Sequence, residues 1–417
     1  MRAAISAFVL RCAFVSSHFF SVLRVSVVGF CSRQVSNVSI KLLIFASARA
    51  REDINSALVL AATMNKKKAG LESLWKSVCF LAPRAKPQAA CSVVLAAAAL
   101  LTYTSRAAMA ASPAEFDKTP AATRYAAGMS DVSWFDASRS RTIPVRIYYP
   151  KSNSERFPVI VFSTGLGRSR EDCGYLGRHW AECGYVSAFV QHPGSDESQR
   201  GLRPKKDLQR AFYNPNNVRN RPLDVIFVLD RLEQMAREGS SPGDRFDMRR
   251  VGAAGHDFGS QTVLTLAGEV LPGQVAFREP RVKAVLAMSS PVPTGEMPLS
   301  EVYAGVSVPC LHITGTADNS IVGTTQAYQR RLPFDHVSAA DQYLITLNGA
   351  DHLTYSGHGR RGNAASDAMF QRLIAKTSAV FWDAYLKQSG RAKSWLAGPA
   401  VKDYLGAGGW AEKKLVP

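Results

Sequence analysis

The sequence predicts an α/β fold, with a mainly parallel central sheet, helices on both faces and a short lid. Three observations carry the prediction. Phe157-Pro158-Val159-Ile160-Val161-Phe162-Ser163 is a continuous apolar run, as a strand buried on both faces of a parallel sheet requires. From there on, apolar runs of strand length alternate with stretches of helical periodicity, the pattern of βαβ units. Between them, Arg250 to Thr262 reads as a buried strand, a tight Gly255-His256-Asp257-Phe258-Gly259 turn and the start of a helix.

The chain has 417 residues, 46% hydrophobic, enough for a large core and for more than one domain. Its formal charge of +18 suggests a nucleic-acid binder, but the charge is unevenly placed. Residues 1–110 hold 14 of the 51 Lys and Arg and 3 of the 33 Asp and Glu, a net +11, which leaves +7 on residues 111–417. A general basic surface is therefore not expected, and neither is a nucleic-acid partner.

Residues 64–110 run from a basic stretch (Lys66 to Lys68, Lys76, Arg84, Lys86) through an apolar core, Ala89 to Leu101, to Ala108-Met109-Ala110. That order is an export signal with a small-residue cleavage site. The core is shorter than the ~20 residues of a membrane span, so no stable span is expected after cleavage. The expected location is periplasmic or secreted. Residues 1–63 precede the signal and are expected to be an over-extended start or disordered. Four of the seven Cys lie before residue 110. Cys173 and Cys183 are expected on one helix, roughly 15 Å apart at 1.5 Å per residue, too far for a disulfide. With Cys310 they read as buried thiols. No Cys-x-x-Cys or His/Cys metal spacing occurs, so no metal or organic cofactor is expected.

Residues 111–130 read as a linker and 398–417 as a C-terminal tail, which bounds the main domain at 131–397. Val132–Phe135 and Ile143–Tyr149 form an opening hairpin. A helix ends near Cys183, and the strand Tyr185–Val190 follows. The polar stretch to Arg221, with Arg200, Arg203, Lys205, Lys206 and Arg210, is either a solvated excursion or a lid over the substrate entrance. The helix Leu223–Glu238, the strand Asp247–Gly255, the helix Ser260–Val270 and the strands Val282–Met288 and Val308–Thr314 come next. Helix Thr324–Arg331, strand Tyr343–Leu347 and helix Ala365–Gln388 close the pattern.

The Gly255 to Gly259 turn has the form of a nucleophile elbow, in which two glycines flank one residue lifted above the sheet edge at a helix N-terminus. The usual Ser is here Asp257. A nucleophile needs a base and a group to orient it. Asp318 follows the Val308–Thr314 strand and His352 follows the last strand, so the chain order is nucleophile, acid, His. Asp351 is the other acid that could orient His352. Two backbone donors aimed at one point would complete an oxyanion hole, and Leu166 N–H, in Gly165-Leu166-Gly167, and Phe258 N–H are the candidates. His256, His312 and His358 are expected to be structural, and Ser260 to cap its helix.

Over residues 131–397 the chain resembles the dienelactone-hydrolase and platelet-activating-factor-acetylhydrolase branch of the α/β-hydrolases. The resemblance rests on Phe162-Ser163-Thr164-Gly165-Leu166-Gly167, Gln191-His192-Pro193-Gly194-Ser195, the elbow, Gly315-Thr316-Ala317-Asp318, Asp351-His352 and Phe381-Trp382-Asp383-Ala384-Tyr385-Leu386. It implies an α/β-hydrolase fold and hydrolysis of a small ester-like substrate, the acyl oxygen held by the amides of Leu166 and Phe258. The chain departs from the pattern at Asp257, and at Thr164, where the related acetylhydrolases carry His. A carboxylate attacking an ester would form an unstable mixed anhydride, whereas displacement at saturated carbon would form an alkyl-enzyme ester. Epoxide hydrolases and haloalkane dehalogenases also carry Asp at this elbow. They insert a large cap after the strand that follows the elbow helix, where this chain has only Ser289 to Val306, and the dehalogenases place Trp where this chain has Phe258. Three roles stay open for Asp257: nucleophile, general base toward water, or a mark of a binding protein that has lost hydrolysis.

Overall fold

The computed structural model describes four short strands before residue 65 and residues 121–416, apart from 123, 153–154, 202, 240, 272, 274–276 and 358–362. The chain divides into two compact units, Met1–Ala111 and Ser112–Pro417. In the first, Leu10–Cys12 pairs antiparallel with Val25–Val27, and Ile40–Ile44 with Leu60–Met64, within the stretch expected to be over-extended or disordered. The export stretch beyond Met64 lies outside the described residues. Among those described, no helix is long and apolar enough to cross a membrane.

The second unit is built on a nine-stranded sheet. Its strands are β1 (Ala127–Asp136), β2 (Arg141–Pro150), β3 (Phe157–Ser163), β4 (Val186–Val190), β5 (Phe246–His256), β6 (Val282–Met288), β7 (Cys310–Ala317), β8 (Gln342–Asp351) and β9 (Gly409–Lys414). They lie in the order β9-β8-β7-β6-β5-β3-β4-β2-β1. The six central strands, β8 to β4 in that order, are mutually parallel, and β1, β2 and β9 run antiparallel to their neighbours. Every residue of β3 is buried, as its unbroken apolar sequence requires.

Helices α1 (Gly174–Glu182), α2 (Pro204–Phe212), α3 (Pro215–Glu238), α4 (Phe258–Ala267) and α5 (Ala364–Tyr385) complete the main frame. Trp180 of α1 and Trp382 of α5 meet edge to face at 6.0 Å on one side of the sheet. Val225, Val228, Leu229 and Leu232 of α3 pack with Val263, Leu264 and Leu266 of α4 in the core on the other. The chain leaves β3 for β4 on one side and returns to β5 on the other. That reversal opens a crevice at the carboxyl ends of β3 and β5, where such sheets bind ligands.

Several boundaries differ from expectation for identifiable reasons. β1 begins at Ala127, inside the expected linker, because Ala127 to Ser130 pair with Ile147 to Pro150. The expected tail supplies β9, which pairs with β8 from Gln342–Lys414 to Leu347–Gly409. Helix α3 starts at Pro215 rather than Leu223, since Asn214 caps it by accepting from Asn216 N–H and Pro215 fits the first turn. The helix expected over Thr324–Arg331 is a 3-10 turn, Ala327–Arg331, continued as Leu332–His336. Cys173 and Cys183 flank α1 instead of lying within it, and with Cys310 they are free and buried.

Glu269 lies just beyond α4 with no exposed surface, and burial pushes its pKa up to about 8 against a bond from the Thr265 hydroxyl. Between the ordinary carboxyl range and pH 8 the folded protein keeps a proton that the unfolded chain has lost. The contribution of Glu269 to stability is then greatest below pH ~4.5 and falls as pH rises toward 8, at up to about 1.4 kcal/mol per pH step. Glu269→Gln is expected to remove that slope. Denaturation midpoints at pH 5 and pH 8 check it, and a wild-type midpoint no lower at pH 8, relative to the variant, would refute the assignment.

Candidate active site

Asp257 stands between β5 and α4 with φ 53° and ψ −122°, a strained conformation for a residue bearing a side chain. Two glycines make the turn possible. A Cβ on Gly259 would meet the Ser163 carbonyl oxygen at 1.9 Å, and one on Gly255 would meet the Gly259 oxygen at 2.2 Å. Both contacts are with backbone, so neither position admits a side chain without moving a strand. Ser260 donates its hydroxyl to the Asp257 carbonyl at 2.6 Å and is sealed from solvent, so it braces the turn.

His352 Nδ1 lies 3.1 Å from Asp318 Oδ1, and its Nε2 lies 3.6 Å from Asp257 Oδ1. The imidazole thus bridges the two carboxylates. Asp318 is fully buried, and its Oδ1 also accepts from the Ser289 hydroxyl at 2.8 Å, while Oδ2 accepts from Thr314 at 3.1 Å and Tyr355 at 3.3 Å. Asp351 is used elsewhere: it accepts from Leu353 N–H at 2.9 Å and from the Thr354 hydroxyl at 3.3 Å, which closes the turn behind His352.

The amides of Leu166 and Phe258 converge as expected, but on the protein's own carboxylate. Leu166 N–H donates to Asp257 Oδ2 at 3.2 Å, and Phe258 N–H donates to the same carboxylate. A serine would leave those donors to the substrate. The longer Asp side chain fills them. Burial pushes the Asp257 pKa up, but the neighbouring His352, His256 and Arg330 and the Phe258 N–H outweigh it and hold it below the usual carboxylate range. Asp257 is therefore ionised at neutral pH.

Two buried arginines support the arrangement, and sequence reasoning assigned a role to neither. Arg330 Nε lies 3.2 Å from Asp318 Oδ1 and donates to the Asp318 carbonyl at 2.7 Å, Nη1 donates to the Ser289 carbonyl at 2.7 Å, and Nη2 is 3.4 Å from His352 Nδ1. Arg221 donates to the Thr164 carbonyl and to the Ser163, Ser195 and Thr262 hydroxyls, with its guanidinium 4.5 Å over the Phe258 ring. It thereby ties together the two segments that supply the amides. Burial lowers its pKa to about 9, so it remains a cation at neutral pH. Ser289 was missed as well. Its φ of 54° and its position at the carboxyl end of β6 are the usual marks of a site residue, but only the second is visible in a sequence.

A second Ser–His–Asp chain lies beneath the first loop. Ser163 Oγ is 2.9 Å from His192 Nε2, and His192 Nδ1 is 3.1 Å from Asp224. All three have no exposed surface, and Arg139 and Arg141 hold Asp224 from outside. Sealed from any substrate, this chain is a strut that fixes the end of β3. Thr164, at the position where the acetylhydrolases carry His, donates to the Val190 carbonyl at 2.9 Å. His312 is likewise structural, 2.9 Å from Gln342 Oε1, and His358 lies outside the described residues.

A cavity of about 130 Å³ opens over Asp257 and His352. Leu166, Leu208, Phe212, Ile321, Val322 and Leu353 form its apolar wall, and Arg168 and Arg200 its cationic side. Leu208 and Phe212 come from α2, so the Arg-rich excursion supplies part of the cavity wall, with Phe212 5.0 Å from the Phe258 ring. No model of a known protein family matches this chain.

Proposed function

We propose that this protein is an exported hydrolase of the α/β-hydrolase fold in which Asp257 attacks a saturated carbon, of the kind found in epoxides and haloalkanes. One observation carries the reading: the carboxylate accepts from the Leu166 N–H through Oδ2, has the Phe258 N–H beside it, and turns Oδ1 toward His352. The strand order, with the elbow after β5, the acid after β7 and the histidine after β8, supports the fold assignment. An ester substrate would have to displace Oδ2 before its acyl oxygen could use those donors, and its product would be a mixed anhydride. An alkyl substrate needs neither.

In the first step Oδ1 bonds to the carbon as the carbon–halogen bond breaks and the halide departs with the bonding pair, or as an epoxide C–O bond opens to an alkoxide that stays on the product, in either case toward the cationic side of the cavity at Arg168 and Arg200. Asp257 becomes an alkyl ester whose carbonyl oxygen, Oδ2, faces the Leu166 amide. In the second step His352 Nε2 takes a proton from water while the water oxygen adds to Asp257 Cγ. Negative charge develops on Oδ2, where the Leu166 N–H already points, and such a donor is worth roughly 3 kcal/mol. The Cγ–Oδ1 bond then breaks, the alcohol leaves with the proton from His352, and the Asp257 carboxyl, now carrying the water oxygen, gives its remaining proton to solvent, or to the alkoxide of an opened epoxide, which restores the carboxylate. Asp318 and Arg330 keep Nδ1 of the ring in place throughout. The lid α2 supplies the wall that a larger cap supplies in the cap-bearing hydrolases, since the segment from Ser289 to Pro309 holds only the short helix Leu299–Val302.

A single turnover in ¹⁸O-labelled water, with enzyme in excess over an epoxide or haloalkane, tests the order of bond making. The label is expected in the Asp257 carboxylate and not in the alcohol. Label appearing in the first-turnover alcohol would mean direct attack by water and would overturn the nucleophilic role.

A further inference from the structure

We propose that Asp172, Cys173 and His256 form a buried binding site for a divalent transition-metal ion of the zinc class, behind the Asp257 turn. One donor atom from each residue lies within 4.8 Å of the others, and the three residues are 1%, 0% and 1% exposed. None of them is used by the proposed reaction. His256 is remote in sequence from Asp172 and Cys173, which is why the spacing of His and Cys in the chain signals no metal.

His256 points to a ligand independently of the cluster. Among the described residues neither of its ring nitrogens has a hydrogen-bond partner, although the ring is packed against His352 and Tyr355 at centroid distances of 5.2 and 5.1 Å. A buried imidazole without partners is rare in folded proteins, because both its donor and its acceptor have lost water without replacement. An ion bound at one nitrogen would satisfy it.

The remaining donors suit the same ion. Cys173 Sγ lies 3.6 Å from Asp172 Oδ2, inside the ~3.3–3.8 Å that tetrahedral ligation at zinc bond lengths sets between neighbouring ligands. Arg168 lies 3.5 Å from the other oxygen, Oδ1. The Tyr355 carbonyl, 3.2 Å from Cys173 Sγ, is placed to serve as a fourth ligand. A thiol, an imidazole and a carboxylate together select zinc or cobalt over magnesium or calcium, which prefer oxygen alone. Burial pushes the Cys173 thiol well up, so without a cation it stays protonated, and binding would release its proton to solvent. His256 also lines the cavity over Asp257. Once bound, the ion would rivet the start of α1 to the end of β5.

The test uses the full-length protein purified without chelators, assayed for metal, then stripped and titrated with cobalt(II). One ion per chain is expected, with a near-ultraviolet thiolate-to-cobalt charge-transfer band. Cys173→Ser should lose the band and Cys310→Ser should keep it, while His256→Gln should weaken cobalt binding if Cys173→Ser does not fold. Wild-type protein that takes up no cobalt, or a band that survives Cys173→Ser, overturns the site. These readouts do not depend on turnover, so they stand apart from the proposed hydrolysis.

Discussion

His352→Ala is expected to keep the first chemical step and lose the second, so that an alkyl adduct accumulates on Asp257 while turnover falls by about 10²–10⁴-fold. The first step needs only an ionised carboxylate, and Asp257 is held ionised by Arg330 and the Phe258 N–H as well as by His352. The second step needs a base for water, and His352 Nε2 is the group that faces Oδ1. Intact-mass spectrometry after exposure to an epoxide or haloalkane, followed by peptide mapping, locates the adduct. Asp257→Ala removes the adduct and the turnover together. Asp257→Ser empties the two amides and restores a hydroxyl at the elbow, so aryl-ester hydrolysis is expected to appear or rise in that variant alone. Wild-type turnover of an alkyl substrate with no adduct in His352→Ala would sink the displacement mechanism, and undiminished ester hydrolysis by Asp257→Ala would place the chemistry elsewhere.

Chain order and strand edges were enough to bring Asp257, Asp318, His352, Leu166 and Phe258 to one point, because each lies on a loop at the carboxyl end of a parallel strand. They were not enough to reveal what the amides hold. The sequence reading gave Leu166 and Phe258 to a substrate oxygen because a serine elbow leaves them free. The extra atoms of an Asp side chain reverse that, and side-chain reach is a property of the folded turn. Arg330 was invisible for a different reason. It sits in Gln329-Arg330-Arg331, which reads as the polar face of a surface helix, yet a 3-10 turn aims Arg330 inward while Arg331 pairs with Asp335 and Glu412 outside. Strand β9 was missed because Gly409 to Lys414 lacks an apolar alternation, which an edge strand with a mostly half-exposed face does not need.

Arg330→Met is expected to destabilise the fold by about 3–5 kcal/mol, the range for removing one partner of a buried ion pair. Arg330 and Asp318 have no exposed side-chain surface, so the carboxylate left behind cannot recover water. The bonds from Ser289, Thr314 and Tyr355 to Asp318 remain but carry no positive charge. The variant also strands the Asp318 and Ser289 carbonyls that Arg330 now satisfies. Arg330→Lys should lose less, since it keeps the charge but cannot reach both carbonyls and the carboxylate with one planar group. The decisive comparison is the double variant Arg330→Met with Asp318→Asn. With the charge gone from both partners, it should be clearly more stable than the two single losses added together, because the main penalty in Arg330→Met is the orphaned carboxylate and not the lost contact. Denaturant midpoints for the wild type, the two single variants and the double variant complete the cycle. Additive losses, or an Arg330→Met midpoint close to that of the wild type, would mean that Asp318 is stabilised by its hydroxyl partners and that Arg330 contributes packing alone.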